Sequence, residues 1–541
     1  MKKRISILLA VLLVAATLLS ACGGGGGASK DSKGDGANAL AVCIGPDPET
    51  IDPALNSAVD GASMIIHGFE TLVTIGKDGE IVPGQAESYT TSDDGLVWTF
   101  KLREDLKWSD GTPLTAEDFV YSWKRGVDPA TAAPYAELFN VIKGYEEAAE
   151  GNLDALGVKA VDDTTFEVTL AQASPYFIQL AAFPTYSPVK KETIEENGET
   201  WATKPETYIG NGAFNVTEWV PGEYILLEKN PNYWNADTVK LDSIKFVLME
   251  DPNAVLSAYE KGDILCAKDV PAQEIPKLRE REDWHLDDLL GTYYISFMTQ
   301  KAPFDNPKVR KALSLAIDRE HIANVVMQGT YGPASNFVGH GLLDADGKTH
   351  FVDNSPEFID ITKHDENLEE AKNLLAEAGY PNGEGLETLE YLTNDASYHR
   401  PVAEALQQMW GELGIKLEIN VVEWSVFTPT RRNGDYQIAR NGWICDYNDP
   451  SSMLDLLAST NGNNDGQYSN PEFDEQMEIA RTSSDQNVRF EAMHKAEQIA
   501  MDDAAIAPVA YYKDFYLLSD KVEGFFHLPL GYFNFINASV K

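Results

Sequence analysis

Two hydrophobic periodicities alternate along this chain of 541 residues, and together they limit the fold class more than any other feature. A period of two, typical of half-buried strands, runs through residues 96–102 and 165–170. A period of 3.6, typical of helices, follows Asn306 and also spans residues 368–378. The two patterns mix without a strict βαβ order and without an internal repeat. The sequence therefore predicts an α/β or α+β chain in more than one lobe.

Local signals predict where several of these helices begin and end. Thr115, followed three residues later by Asp118, forms a capping-box pattern at the start of a helix. Asn306 and Pro307 have the identities expected of an N-cap and a first helical residue. Gly379 follows an apolar helical pattern and is expected to end that helix in a left-handed conformation.

The first residues predict export and attachment rather than a fold. Residues 1–21 combine a basic start, an apolar run and small residues, which is the pattern of a signal peptide. The sequence Leu-Ser-Ala before Cys22 resembles the lipobox of bacterial lipoproteins, which implies a lipid on that thiol; the alternative is an ordinary signal with a chance cysteine. Residues 22–38 are rich in glycine and are expected to form a flexible tether. We therefore expect a folded body held at the outer face of the cytoplasmic membrane, extracellular or periplasmic.

The charge of the chain argues against a nucleic-acid partner. Lysine and arginine number 43 against 85 acidic residues, which gives a formal charge of −42. Such a surface repels phosphate groups. Four cysteines do not form a disulfide scaffold in a chain of this length. Lipidation of Cys22 would leave Cys43, Cys266 and Cys445, and whether Cys43 and Cys266 pair stays open.

The short motifs of catalysis and nucleotide binding are absent from the sequence, so neither an enzyme activity nor a cofactor is expected. Residues 461–472 approach a calcium-binding loop, but Asn461 replaces the usual first aspartate and Pro471 precedes the final glutamate. A polar surface loop is the better interpretation. The nine histidines show no metal-ligand spacing.

Residues 436–450 concentrate the side chains that suit a ligand pocket. A short alternation leads through Arg440 to Asn441-Gly442, a pair that predicts a turn, and Trp443 and Tyr447 flank one acid, Asp446. Charge and aromatic rings on such a turn are typical of a small-molecule or peptide site. The alternative is a surface turn with a half-buried tryptophan.

Several motifs resemble those of peptide-binding proteins of ABC importers, and the nearest likeness is to the oligopeptide-binding proteins over nearly the whole chain after the leader. The motifs are K-W-S-D-G-T-P at 107–113, D-F-V-Y-S-W at 118–123, V-D-P at 127–129, P-Y at 134–135, N-G-A-F at 211–214 and A-E-A-G-Y at 376–380. Trp443, Asp446, Tyr447 and Pro450 fall where that family has its ligand-contacting turn.

The resemblance implies an α/β, two-lobed clamp of the periplasmic-binding-protein type with an extra inserted domain, three domains in all. Lobe I is expected to comprise residues 39–69, 195–291 and 508–541, the inserted domain 70–194, and lobe II 292–507. Strands that cross between the lobes would act as a hinge, closing the clamp over an extended oligopeptide. The implied function is a tethered, monomeric receptor without catalysis, which delivers peptides to the transmembrane subunits of an ABC permease.

The same resemblance assigns roles to individual residues. Asp446 is expected to bind the α-ammonium of the peptide. Arg440 and His399 are expected to bind the C-terminal carboxylate of those peptides whose length brings that carboxylate to them. The remaining expected contacts are the pocket walls Trp424 and Trp443, the backbone of Gly442, Tyr447 in the turn, and Tyr135 from the inserted domain.

Two departures from the family pattern bear on these roles. Some relatives have a lysine in the helix before Gln328-Gly329, and this chain has Val325, Val326 and Met327 there instead, which leaves open how the carboxylate is held and which peptide lengths are preferred. Cys445 has no cysteine near Tyr293, so no disulfide is expected there. The alternatives that remain are a clamp for dipeptides, signalling peptides, a nickel chelate or an oligosaccharide, and a secreted hydrolase using Asp446 and Asp449 as an acid pair.

Overall fold

The computed structural model describes residues 38–541 apart from residue 78 and residues 395–397. The predicted signal peptide, Cys22 and the tether up to residue 37 lie outside these residues. Within the described part, no helix combines the length and the hydropathy that a bilayer-spanning segment needs.

The strands are, in chain order, β1 Ala39–Cys43, β2 Val73–Ile75, β3 Ile81–Pro83, β4 Ala86–Thr91, β5 Val97–Leu102, β6 Val158–Asp162, β7 Thr165–Thr169, β8 Phe214–Val220, β9 Tyr224–Lys229, β10 Ser243–Val247, β11 Cys266–Lys268, β12 Trp284–Phe297, β13 Gly332–Pro333, β14 Leu389–Asn394, β15 Leu417–Val422, β16 Ile438–Ile444, β17 Ile506–Leu518, β18 Val522–Glu523, β19 Phe526–His527, β20 Phe533–Asn534 and β21 Ser539–Val540. The helices are α1 Val59–Gly68, α2 Ala116–Val127, α3 Tyr145–Ala149, α4 Phe177–Leu180, α5 Lys191–Asn197, α6 Pro252–Lys261, α7 Ile275–Leu278, α8 Pro307–Leu315, α9 Arg319–His321, α10 Phe351–Asn354, α11 His364–Glu377, α12 His399–Gly411, α13 Trp424–Arg432, α14 Ser451–Leu454, α15 Pro471–Thr482 and α16 Gln486–Asp502.

A mixed sheet runs through most of the molecule. Its order is β15-β14-β16-β12-β17-β11-β1-β10-β9-β8, with β13 also paired to β17. The pairs β14/β15, β14/β16, β1/β10 and β1/β11 are parallel, and the other pairs of this sheet are antiparallel. A separate antiparallel sheet, β4-β5-β7-β6, is built from one stretch of chain and packs its apolar face on α2. Mixed sheets with helices packed on them agree with the predicted α/β class.

The predicted helix termini are confirmed. Thr115 and Asp118 form a capping box at α2, in which the Thr115 N–H donates to Asp118 Oδ2 at 2.7 Å. Asn306 caps α8, and its side-chain oxygen accepts from the Lys308 N–H at 3.0 Å. Gly379 follows α11 with φ +93°, the left-handed conformation that a Cβ disfavours.

The predicted turn at Asn441-Gly442 is wrong. Strand β16 continues through both residues to Ile444, because β12 supplies a partner strand up to Gly291. Asn441 pairs with Tyr294 and Gly442 with Tyr293. Ladder hydrogen bonds to a long neighbouring strand outweigh the turn preference of the Asn-Gly pair.

Strands β12 and β17 pair along nearly their whole length, with a bulge in the middle and a smaller register shift between Tyr293 and Tyr294. Asp288 is opposite Lys513, and the next paired position is Thr292 opposite Tyr511. Three residues of β12 therefore face one residue of β17, Tyr512. Such a bulge bends the strand that contains the extra residues.

Candidate ligand-binding site

Strand β16 presents Arg440 and Gly442 on one face of the large sheet, since alternate residues of a strand point the same way. The absence of a side chain at Gly442 leaves room for the Tyr512 hydroxyl, which lies over it. A Cβ on Gly442 would lie 2.2 Å from Tyr512 Oη. Trp443 points to the opposite face, and its indole Nε1 is buried without a hydrogen-bond partner.

The turn after β16 is held by a buried ion pair. Arg489 of α16 donates from Nη1 to Asp449 Oδ2 and from Nη2 to Asp449 Oδ1, both at 2.6 Å. Asp449 Oδ1 also accepts from the backbone N–H of Ser451 at 2.9 Å. A bidentate pair of this kind fixes both position and orientation. It also occupies Asp449, which is therefore not available as the second acid of the hydrolase alternative.

Asp446 lies in this fixed turn with its carboxylate withdrawn from water. Its backbone N–H donates to Ser452 Oγ at 3.1 Å. Among the described residues no basic side chain is within ion-pair distance of its carboxylate. Burial, with a smaller contribution from the Glu137 carboxylate, raises the pKa of Asp446 to about 6. An acid in this state gains from a cation brought by a ligand.

Tyr135 lies close enough to Asp446 for that carboxylate to act on its hydroxyl, and its predicted contact with the ligand stays a prediction. Burial, followed by the Asp446 and Glu137 carboxylates, raises the pKa of Tyr135 to about 12. Tyr532 also lies near, since burial and then Tyr135 and Asp446 raise the pKa of its hydroxyl. The site thus combines side chains from three distant parts of the chain.

A cavity of about 510 Å³ opens next to Asp446. One wall comes from residues 137–180 and the other from residues 443–481. Trp443 and Tyr447 both line it, and the Tyr447 ring stacks on Tyr176 with centroids 5.0 Å apart and 11° between the planes. The cavity therefore lies between the predicted inserted domain and predicted lobe II.

Arg440 and His399 come together on the other side of β16. The Arg440 side chain is buried, its Nε donates to Asn394 Oδ1 at 2.8 Å, and its guanidinium lies 4.8 Å from the Phe427 ring centroid. Burial, and then the Arg440 charge, lowers the pKa of His399 to about 4, so the imidazole is neutral near pH 7. His399 Nδ1 is buried without a partner. A ligand carboxylate or amide would satisfy such a group.

Trp424 is the first residue of α13, but its side chain is not among those that the structure describes. Its predicted role as a pocket wall therefore stays a prediction. The other predicted residues form two groups, one around Asp446 and one around Arg440, connected by strand β16.

Four residues of the site were not predicted from the sequence, and they are Glu137, Tyr176, Arg489 and Tyr532. Each is far in sequence from the turn at 445–450 and reaches it only through the fold. Glu137 follows Tyr135 by two residues, so its proximity to a predicted contact was a usable signal. The other three belong to no motif in the sequence.

The polar loop at 461–472 has a structural role. Asp465 Oδ2 lies 2.8 Å from Arg431 Nε, and Asn470 caps α15 by accepting from the Glu472 N–H at 2.9 Å. Within the described residues no group of three or more acidic, histidine or cysteine side chains is arranged to hold a metal ion. Cys43, Cys266 and Cys445 are buried free thiols.

Comparisons with known proteins agree with this architecture. The family model of bacterial extracellular solute-binding proteins, family 5, matches residues 80–465. The chain is 36% identical over 523 residues to the oligopeptide-binding protein OppA of Bacillus subtilis, covering 95% of this chain and 94% of that protein.

Two solved structures are also similar to this one. The unliganded open form of the periplasmic murein tripeptide-binding protein MppA matches with a TM-score of 0.81 and 33% identity, covering 93% of this chain and 97% of that one. Haemophilus influenzae OppA in complex with the peptide RPPGFSPFR matches with a TM-score of 0.72 and 32% identity, covering 93% and 98%.

The predicted α/β two-lobed clamp is confirmed by these structures, whereas the exact lobe boundaries stay a prediction. The matching family consists of solute-binding proteins and not of enzymes. The match of its model to most of the chain, together with the extended identity to OppA, identifies the protein: it belongs to the bacterial extracellular solute-binding proteins of family 5.

Proposed function

We propose that this protein is a receptor for oligopeptides, which it binds between its lobes and delivers to the transmembrane subunits of an ABC permease. The single observation that supports this most directly is Asp446, a buried carboxylate without a basic partner among the described residues, on a turn fixed by Arg489. The relatives named above are oligopeptide-binding and murein-tripeptide-binding proteins. Every linear peptide has an α-ammonium, so a receptor that tolerates many sequences can take affinity from that group.

Arg440 and His399 are proposed to meet the other end of the ligand. A guanidinium can bind a carboxylate through two parallel hydrogen bonds, and a neutral imidazole can donate one more. Peptides whose carboxylate reaches Arg440 should lose affinity in Arg440→Ala, and other lengths should be spared. A loss of equal size for every length, measured by calorimetry, would instead indicate a structural arginine.

The proposed receptor is a monomer attached to the membrane through a lipid on Cys22. The support is the lipobox-like sequence and the glycine-rich stretch that follows it. Two or more acyl chains hold a protein firmly at a bilayer, whereas one chain binds weakly. The mass of the N-terminal peptide from membranes of expressing cells tests the anchor, and an unmodified cysteine there would contradict it.

The proposed lobes are residues 39–69, 195–291 and 508–541 for lobe I, 292–507 for lobe II, and 70–194 for the inserted domain. Both proposed crossings between the lobes fall within paired strands, the first in β12 and the second in β17. One wall of the cavity beside Asp446 belongs to the proposed inserted domain and the other to proposed lobe II, as expected for a ligand site in a clamp.

A thermodynamic cycle tests the proposed ammonium site. Calorimetry would compare wild type and Asp446→Asn, each with one peptide in its free and N-acetylated forms, using a length that wild type binds. Losing one partner of a buried charge pair costs about 2–5 kcal/mol. At about 1.4 kcal/mol per factor of ten, the affinity should fall between about thirtyfold and several thousandfold. The two changes together should cost less than their sum, because both remove the same contact.

The matched control is Asp435→Asn, which removes the same charge from an exposed position just before β16. It should bind the free peptide as wild type does. If wild type binds the acetylated peptide within about threefold of the free one, well below the thirtyfold expected, Asp446 is not an ammonium site.

A further inference from the structure

Three of the carboxylates that line the cavity of about 510 Å³ have no basic partner in the described part of the protein. They are Asp446 itself, Glu137 and Glu146. Glu137 belongs to the 3-10 helix Ala136–Val141 and Glu146 to α3, so both come from the opposite wall to Asp446. The Glu137 charge acts on both Asp446 and Tyr135, which places it close to the proposed ammonium position.

The basic residue that lines this cavity is already paired. Arg481 lies 2.7 Å from Glu478 Oε2 through Nη1 and 3.3 Å from Asp455 Oδ1 through Nη2. It therefore balances Asp455, the fourth acid of the lining, and not the other three. One α-ammonium would neutralise one of the remaining charges and leave two. Glu137 and Glu146 are exposed, whereas Asp446 is withdrawn from water, so the excess acts chiefly on Asp446, where burial weakens the screening of the Glu137 charge.

Trp443, which lines the cavity, has a hydrogen-bond donor without an acceptor in the described part of the chain. Trp443 Nε1 is buried without a partner, and an indole N–H can only donate. A polyamine or a metal ion has no acceptor to give it, whereas a peptide has carbonyl oxygens. Apolar side chains of Leu138 and Val141 lie on the same wall as Glu137 and can contact an aliphatic stem.

We propose that this cavity takes a basic first side chain, so that the protein selects peptides that begin with lysine or arginine, and that Glu137 is the specificity-determining residue. The inference rests on the proposed function, because it places the α-ammonium at Asp446. The long stem of lysine or arginine then reaches the wall that holds Glu137 and Glu146, and the second cation balances the second acid.

The test compares two peptides that are identical except at the first residue, which is lysine in one and norleucine in the other. Norleucine keeps the unbranched apolar stem and lacks the ε-ammonium. Calorimetry would be done on wild type, Glu137→Gln and Glu147→Gln. Glu147 is the matched control, because it is an exposed acid of the same helix as Glu146 and does not line the cavity.

Wild type should bind the lysine peptide about tenfold more tightly than the norleucine peptide. Glu137→Gln should reduce that ratio to about threefold or less by weakening the lysine peptide alone. Glu147→Gln should keep the wild-type ratio, which separates a local contact from a general effect of net charge.

Three other results would contradict the proposal, and each would contradict a different part of it. Equal affinity of wild type for the two peptides would overturn the selection of basic first residues and leave the proposed receptor function intact. A lysine preference that persists undiminished in Glu137→Gln would overturn the role of Glu137. If wild type binds neither peptide, nor any length in a mixed series, the proposed function fails and the inference fails with it.

Discussion

At the scale of single residues, the proposed ammonium site makes the protonation of Asp446 the event expected to govern ligand binding. Its carboxyl has a pKa of about 6 in the unliganded protein because burial disfavours the charged form. An ammonium ligand requires the ionised form and lowers that pKa on binding. Proton and ligand therefore compete, and the affinity should fall as the pH drops through about 6.

The expected change in the dissociation constant follows from the fraction of Asp446 that is ionised at each pH. About nine-tenths of Asp446 is ionised at pH 7 and about one-tenth at pH 5, so the dissociation constant should rise about tenfold between these values. The peptide α-ammonium stays charged across this interval. Calorimetry at half-unit steps of pH is the measurement, and a flat profile in wild type would contradict the expectation.

Asp446→Asn is the control for this profile, since it removes the titrating group. Other groups titrate in the same interval: burial raises the pKa of Glu497 to about 7, but Glu497 is present in both proteins. His399 does not interfere, because its pKa of about 4 keeps the ring neutral down to pH 5. The mutant should therefore bind weakly and with little pH dependence over this range.

At the scale of secondary-structure elements, strand β16 depends on a glycine that leaves room for a neighbouring tyrosine. A methyl group at residue 442 would collide with Tyr512 Oη, so Gly442→Ala forces the ring or the strand to move. Overpacking of this kind costs about 1–3 kcal/mol. The midpoint of urea denaturation should fall, and peptide affinity with it, because the same strand leads from Arg440 to Asp446.

Removing the Tyr512 hydroxyl should restore part of the stability that Gly442→Ala loses. Gly442→Ala should be less destabilising in a Tyr512→Phe background, because the nearest contact is then gone. Gly462→Ala is the matched control, since a Cβ there meets nothing within 4 Å. If Gly442→Ala is as harmless as Gly462→Ala, the close approach does not restrict this position.

The sequence was sufficient to predict the helix ends whose signals come from neighbouring residues. The caps Thr115 and Asn306 and the end at Gly379 depend on neighbouring residues, and all three are confirmed. The turn at Asn441-Gly442 was wrong because the partner strand β12 is more than a hundred residues away in sequence. Arg489 was missed for the same reason: its link to Asp449 exists only in the folded chain.

For the site, the resemblance identified residues that the structure places together. Tyr135 lies beside Asp446, and Arg440 beside His399. Composition and periodicity alone favoured a surface turn for the region at 436–450, and the resemblance reversed that interpretation. Of the acids that share the cavity with Asp446, Glu137 had a usable signal in its position two residues after Tyr135, whereas Glu146 had none, because it reaches the cavity only through the packing of two distant segments.

At the scale of the whole molecule, two long strands connect the proposed lobes. The ladder between β12 and β17 is interrupted twice, by a bulge between Asp288 and Thr292 and by a register shift between Tyr293 and Tyr294. A bulge interrupts the ladder and lets the two halves of a strand bend relative to each other. The proposed lobe boundary at residues 291 and 292 falls at the first of these interruptions, so we expect the hinge to be there.

The resulting prediction is that the peptide-free protein is open in solution and closes on binding. The TM-score of 0.81 to an unliganded open form, against 0.72 to a peptide complex, supports an open arrangement in this structure. Closure around two narrow crossings is a rigid-body hinge motion, which lowers the radius of gyration. Small-angle X-ray scattering with saturating peptide should record that decrease. The N-acetylated peptide at the same concentration should not produce it, because it lacks the group that Asp446 would bind. Identical scattering curves with and without a peptide that calorimetry shows to be bound would rule the hinge out.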